Sequence, residues 1–226
     1  MARQIPGARD KVEAIYPLLV ELYGEPRWRC YLPPVDQLVA TILSQQTSSI
    51  NQRRAFAALR DRFPTWEEVM AAPLEAVQAA IYPAGLASQK GPRIQKALRT
   101  ICRERGELNL DFLEELPVDE AKAWLRNLKG VGPKTAAIVL LFTFNRPAFP
   151  VDTHIHRIAQ RIGLVPPQTS AAKTHDLLEA IIDPERYYPF HIMVIRHGRE
   201  ICLAREPRCH ICPLQDYCDY YQDYSY

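Results

Sequence analysis

Apolar residues recur along this chain at helical spacing. Val12, Ile15, Leu18, Leu19 and Leu22 form one stripe, which predicts a mostly helical lead over residues 1–29, broken at Gly24-Glu25-Pro26. Leu38, Val39, Ile42 and Leu43 predict a strongly apolar helix from Val35 to about Leu43, stopped by the polar run Ser44-Gln45-Gln46-Thr47-Ser48-Ser49. A further helix is expected over 50–62. Thr65 then reads as a helix cap, with Glu68 three residues on. Helix 74–80, a turn at Pro83-Ala84-Gly85-Leu86 and a helix from Ser88 or Pro92 to Cys102 follow. Residues 119–128 put Ala121, Leu125 and Leu128 on one face, and later helices are expected near 153–162, 170–182 and 189–201, with Tyr187, Tyr188 and Pro189 as packing and boundary residues. No stretch alternates with period two and no repeat recurs, so the pattern predicts an all-α globular bundle.

Within this pattern one stretch stands apart. Leu128-Lys129-Gly130-Val131-Gly132-Pro133-Lys134-Thr135-Ala136 reads as a helix end, a tight hairpin and a new helix. Pro133 suits the first helical turn, where a missing N–H costs nothing. The glycines allow positive φ and a close backbone approach, and amides turned outward at such a hairpin suit a phosphate oxygen. Lys134 falls in the first turn, where the helix dipole disfavours a cation. Desolvation and neighbouring cations there would favour the free amine, the form that attacks carbon to give a Schiff base. With the hairpin on a DNA phosphate, Lys134 would stand close to a neighbouring sugar. Asp152, in Val151-Asp152-Thr153-His154, precedes another expected helix and could stabilise positive charge developing on a deoxyribose and handle the lysine's proton.

Composition narrows the class. The 226 residues are 47% hydrophobic and 24% charged, ordinary for a globular chain, and no apolar run approaches the roughly 18 residues of a membrane span. Residues 1–15 hold Arg3, Arg9, Asp10, Lys11 and Glu13 but no hydrophobic signal segment, so neither secretion nor a membrane is expected. The formal charge of +2 neither demands nor excludes nucleic acid. Of six cysteines, Cys30 and Cys102 are isolated, whereas Cys202, Cys209, Cys212 and Cys218 crowd into one short stretch, a grouping that suits metal ligands better than a disulfide framework. The spacing alone permits zinc or iron–sulfur. Arg199, Arg205, Arg208 and His210 surround these cysteines and could meet phosphate. Tyr217, Tyr220, Tyr221, Tyr224 and Tyr226 read as local packing rather than a base-stacking platform.

The motifs LKGVGPKTA at 128–136, VDTHIHR at 151–157 and HGREICLAREPRCHICPLQDYC at 197–218, with ILSQQT at 42–47 and AGLASQK at 84–90, resemble the endonuclease III family of helix-hairpin-helix DNA glycosylases. The resemblance implies an all-α two-lobe fold, with a six-helix bundle over about 31–146 and an iron–sulfur lobe from 1–30 with 147–226. It implies a [4Fe-4S] cluster on Cys202, Cys209, Cys212 and Cys218. It makes Lys134 the nucleophile and Asp152 its carboxylate partner, with Gln46 filling the gap left by an extruded base and Leu86 wedged beside it. Lys129, Gly130, Val131, Gly132, Arg199, Arg205 and Arg208 complete the expected DNA contacts.

The implied enzyme is a monomer that removes oxidised pyrimidines from double-stranded DNA and cleaves abasic sites, in the cytoplasm and associated with the nucleoid. Adenine-mismatch relatives lack the lysine and carry a further C-terminal domain for which these residues leave no room. The rival readings are a monofunctional glycosylase acting on mismatched or alkylated bases, and a DNA-binding or damage-sensing module. Four departures from the family's pattern bear on DNA contact: Lys129 where proline is usual, Pro133 where arginine is familiar, Ala87 where tyrosine is frequent and Ser48 where aspartate is frequent.

Overall fold

The computed structural model describes residues 7–224. Arg3 and Tyr226 lie outside the described residues, as do the ends of the expected 1–30 and 147–226 segment. Every regular element among the described residues is helical. The chain separates into two compact units, Cys30–Arg146 and Met1–Arg29 with Pro147–Tyr226. Helix α1, Ala8–Tyr23, precedes the middle unit.

In the middle unit, α2 (Pro34–Ser44) and α8 (Pro133–Phe144) pack on one another at the centre. Both are apolar on most sides: Leu38, Val39, Ile42 and Leu43 of α2 and Val139, Leu140 and Leu141 of α8 are buried. Each such side chain contributes about 1.5–3 kcal/mol by leaving water. Around this pair lie α3 (Ser49–Arg62), α4 (Trp66–Ala71), α5 (Leu74–Ala80), α6 (Ala87–Arg105) and α7 (Val118–Asn127). Helix α6 packs against α2, α4 and α5, and α7 against α8. Local chemistry sets several of the boundaries. Ser48 Oγ accepts from the Asn51 amide to start α3, and Thr65 Oγ1 accepts from Glu68 to start α4. Helix α6 begins at Ala87, earlier than the sequence suggests, and runs through Pro92.

The terminal unit joins α1 to α9 (Thr153–Ile162), α10 (Ala171–Ile181), α11 (Tyr187–Glu200) and α12 (Asp219–Tyr224). In α9 the buried Ile155, Ile158, Ala159 and Ile162 recur at i, i+3, i+4 and i+7, so one face meets α11 and the other stays polar. Helix α1 presents Val12, Ile15, Tyr16 and Leu19 to the core, and Leu22 from the expected stripe is 43% exposed. Tyr16 takes that place because its ring stacks on Phe190, 6.3 Å between centroids. Pro189 lies in the first turn of α11, where its missing N–H is harmless. Helix α12 is docked: Lys11 Nζ donates to the Ile162 carbonyl (2.7 Å) and pairs with Asp219.

Candidate active site

The hairpin of the middle unit is built from its apolar ends inward. Leu128 and Val131 are buried, and the Val131 amide donates back to the Leu128 carbonyl at 3.0 Å. This corrects the expectation for Val131: its side chain is core and its amide is already engaged, so it is an anchor and not an outward donor. The amides of Gly130 and Gly132 have no backbone acceptor among the described residues. Gly130 adopts φ 89°, and an added Cβ would come within 2.7 Å of Arg93 Cδ, so both backbone and space require glycine. Gly132 is the N-cap residue of α8 in extended backbone, Pro133 is the first helical residue and Lys134 the second. Lys134 and Lys129 are both exposed. The expectation that Lys134 is partly desolvated is therefore corrected for the free protein.

Two further loops of this unit carry predicted DNA-contact residues. Gln46 and Leu86 are exposed, and each adopts φ 51°, a left-handed conformation that costs a non-glycine residue about 1–3 kcal/mol. Gln45 links its loop to the hairpin, Nε2 donating to the Gly130 carbonyl at 3.0 Å, while Arg93 donates to Gln45 Oε1 at 3.2 Å. Sequence reasoning overlooked Arg93, because an arginine on a polar helix gives no local sign of a remote partner.

In the terminal unit Asp152 is half-buried and caps α9, its Oδ1 accepting from the Ile155 amide at 2.9 Å. Its other carboxylate oxygen takes no part in that bond. Cys202, Cys209, Cys212 and Cys218 line one small pocket with Ile158, Ile201 and Leu214. Four thiols gathered on one pocket are a donor set that suits a thiolate-bound metal centre. Burial pushes Cys212 up to about 11 and raises Cys209 and Cys218, with neighbouring cysteines adding to the effect. A cationic iron core would remove that penalty and hold the four as thiolates. The residues therefore fit a multi-iron cluster.

The guanidinium groups that reach this cysteine loop come from α9, not from Arg199, Arg205 and Arg208, which are exposed. Arg161 Nη1 donates to Cys202 Sγ at 3.3 Å and to the Leu203 carbonyl at 2.6 Å, and its guanidinium lies 4.6 Å from the centre of the Tyr220 ring. Arg157 Nη2 donates to the Cys202 carbonyl at 2.8 Å. His197, lowered to about 4 by burial, is a neutral imidazole, with Tyr23 Oη 3.1 Å from Nδ1 and Cys212 Sγ 3.5 Å from Nε2. Their i, i+4 spacing puts Arg157 and Arg161 on one face of α9, which is the signal the sequence offered. Tyr220 and Tyr221 line the cavity, in keeping with local packing rather than base stacking.

A glycine hairpin leading into a lysine-bearing helix, with a four-cysteine loop further along, defines a base excision DNA repair protein of the HhH-GPD superfamily, whose profile matches residues 39–184. The iron–sulfur binding domain of endonuclease III matches residues 202–218. The chain belongs to the endonuclease III family. It is 34% identical to endonuclease III of Thermotoga maritima over 84% of each chain. It is 37% identical to a putative DNA glycosylase of Arabidopsis thaliana over 82% of its own length, spanning 66% of that relative. The fold superposes, with a TM-score of 0.81 and 28% identity, on an endonuclease III trapped as a covalent intermediate with DNA, covering 95% of this chain and 97% of that one. The cofactor consistent with the iron–sulfur domain is a [4Fe-4S] cluster. No described helix is long and apolar enough to cross a membrane.

Proposed function

We propose that this chain is a DNA glycosylase and abasic-site lyase that removes oxidised pyrimidines from duplex DNA, with Lys134 as nucleophile and Asp152 as its carboxylate partner. The observation that carries the reading is an exposed amine in the first turn of α8, two residues after a glycine whose amide has no backbone acceptor among the described residues. That amide, the half-buried Gly130 and the exposed Lys129 suit one phosphate, which would bring Lys134 to the sugar of an extruded nucleotide. The Nζ lone pair bonds to C1′ as the glycosidic bond breaks, and the base leaves with the bond electrons and gains a proton. Asp152 stabilises positive charge on the sugar and accepts a proton from the nitrogen. Ring opening gives the imine, loss of a C2′ proton expels the 3′ phosphate, and water then frees the lysine.

Gln46 and Leu86 fill the space the nucleotide leaves, since both are exposed on loops held in strained backbone. Cys202, Cys209, Cys212 and Cys218 would hold the [4Fe-4S] cluster, which supplies a fixed cross-link to an otherwise irregular segment. Arg199, Arg205 and Arg208, all exposed, then act as phosphate contacts. The reading further implies a monomer working on nucleoid DNA.

Borohydride reduction during reaction with abasic duplex tests the proposal. Wild type should form a covalent adduct, and Lys134→Ala should form none. Release of an oxidised pyrimidine without any adduct would overturn lyase chemistry in favour of a monofunctional enzyme, and binding without base release on every lesion would leave only a DNA-binding module.

A further inference from the structure

Lys90 is 1% exposed, deep in the middle unit, and the reaction has no use for it. It lies in the first turn of α6, where a cation is disfavoured by the helix dipole, and burying an ammonium costs several kcal/mol unless it is well bonded. Its two partners explain its retention. Nζ donates to the Leu43 carbonyl at 2.8 Å and to the Ala84 carbonyl at 2.9 Å. Leu43 is in the last turn of α2, so its carbonyl is one of those left without an intrahelical donor, at the negative end of that helix. Ala84 closes the short 3-10 turn Tyr82–Ala84.

Each carbonyl lies just before one of the two strained residues: Gln46 follows Leu43 by three positions, and Leu86 follows Ala84 by two. We propose that Lys90 is a positioning residue, whose single ammonium ties the bases of both loops and so fixes the separation of Gln46 and Leu86. An apolar side chain would fill the same volume and leave the two carbonyls unbonded, free to drift apart. Burial and the Arg93 charge lower the Lys90 pKa, and the two carbonyls it donates to favour the charged form in opposition. The inference rests on the reading of Gln46 and Leu86 as the pair that occupies opened DNA.

Single-turnover release of thymine glycol from duplex DNA, measured for Lys90→Met, Leu86→Ala and Gln46→Ala alone and in pairs, tests it. A displacement of about 1 Å near a reacting centre slows reaction by up to about 10²-fold. Lys90→Met should slow release about tenfold or more in the wild-type background but less than about twofold in either loop variant, because its effect passes through them. Affinity for undamaged duplex and a cooperative melt serve as controls on folding. If Lys90→Met does not melt cooperatively, Lys90→Gln, which keeps two N–H donors one bond short, takes its place with the same expectation. An equal slowing in every background marks a general packing role and overturns the inference, as does no slowing by Lys90→Met where the loop variants are slow. If neither loop variant slows release, the reading of Gln46 and Leu86 fails and the inference falls with it.

Discussion

The glycine hairpin and the cysteine loop are both short irregular segments beside a helix, yet they are stabilised by different means. Most of the hairpin's supports are its own: Leu128 and Val131 are buried, one backbone bond closes the turn and Pro133 pre-sets the next helix, with Gln45 adding one bond from a distant loop. In the cysteine loop the helical pieces are two 3-10 turns, Cys209–Ile211 and Gln215–Tyr217, with Ile201 and Leu214 as its buried apolar side chains. Remote donors from Arg157 and Arg161 hold it to α9. A turn whose supports are adjacent in sequence folds on local chemistry, and one whose supports are distant depends on a bound group.

The sharpest way to break this contrast is to remove the cluster by anaerobic chelation, or to replace Cys212 by Ser. Amide exchange over residues 199–224 should lose its protection altogether, while residues 128–144 keep theirs; equal loss in both would contradict the distinction. Next, Gly130→Ala should destabilise the fold by about 1–3 kcal/mol in denaturant unfolding, from positive φ and the crowding by Arg93, and Gly132→Ala by less than about 1 kcal/mol, since nothing lies within 4 Å of its added Cβ. Asp152→Ala should cost about 1 kcal/mol through the lost cap, whereas Asp152→Asn keeps the cap, leaves the melting temperature almost unchanged and still slows base release by about 10²-fold or more. Smallest of all, Arg208→Ala should leave stability within about 0.5 kcal/mol and lower the salt dependence of DNA binding by about one phosphate contact.

The same contrast explains what could be read from the sequence. Thr65 with Glu68, Pro133 after the glycines and the isoleucines of α9 are each signalled by neighbours a few positions away, and the helices they predict are present. Helix α12 has no expectation in the sequence pattern, because its anchor, Lys11 bonded to the end of α9, is far away in the chain. Lys90 and Arg93 look like surface cations on a helix of polar composition, and only their partners elsewhere in the chain show that Lys90 is buried and that Arg93 is bonded to Gln45. The left-handed backbone of Gln46 and Leu86 had no glycine or asparagine to announce it. Cysteine spacing alone leaves iron and zinc open; the family resemblance and the matched iron–sulfur domain decide it.

The central claim concerns one amine among several on the same surface, for Lys129 is exposed only five residues before Lys134. Peptide mapping of the borohydride-reduced adduct with abasic DNA distinguishes them. The sugar remnant should be found on Lys134 alone, and its recovery on Lys129 or any other amine would contradict the assignment.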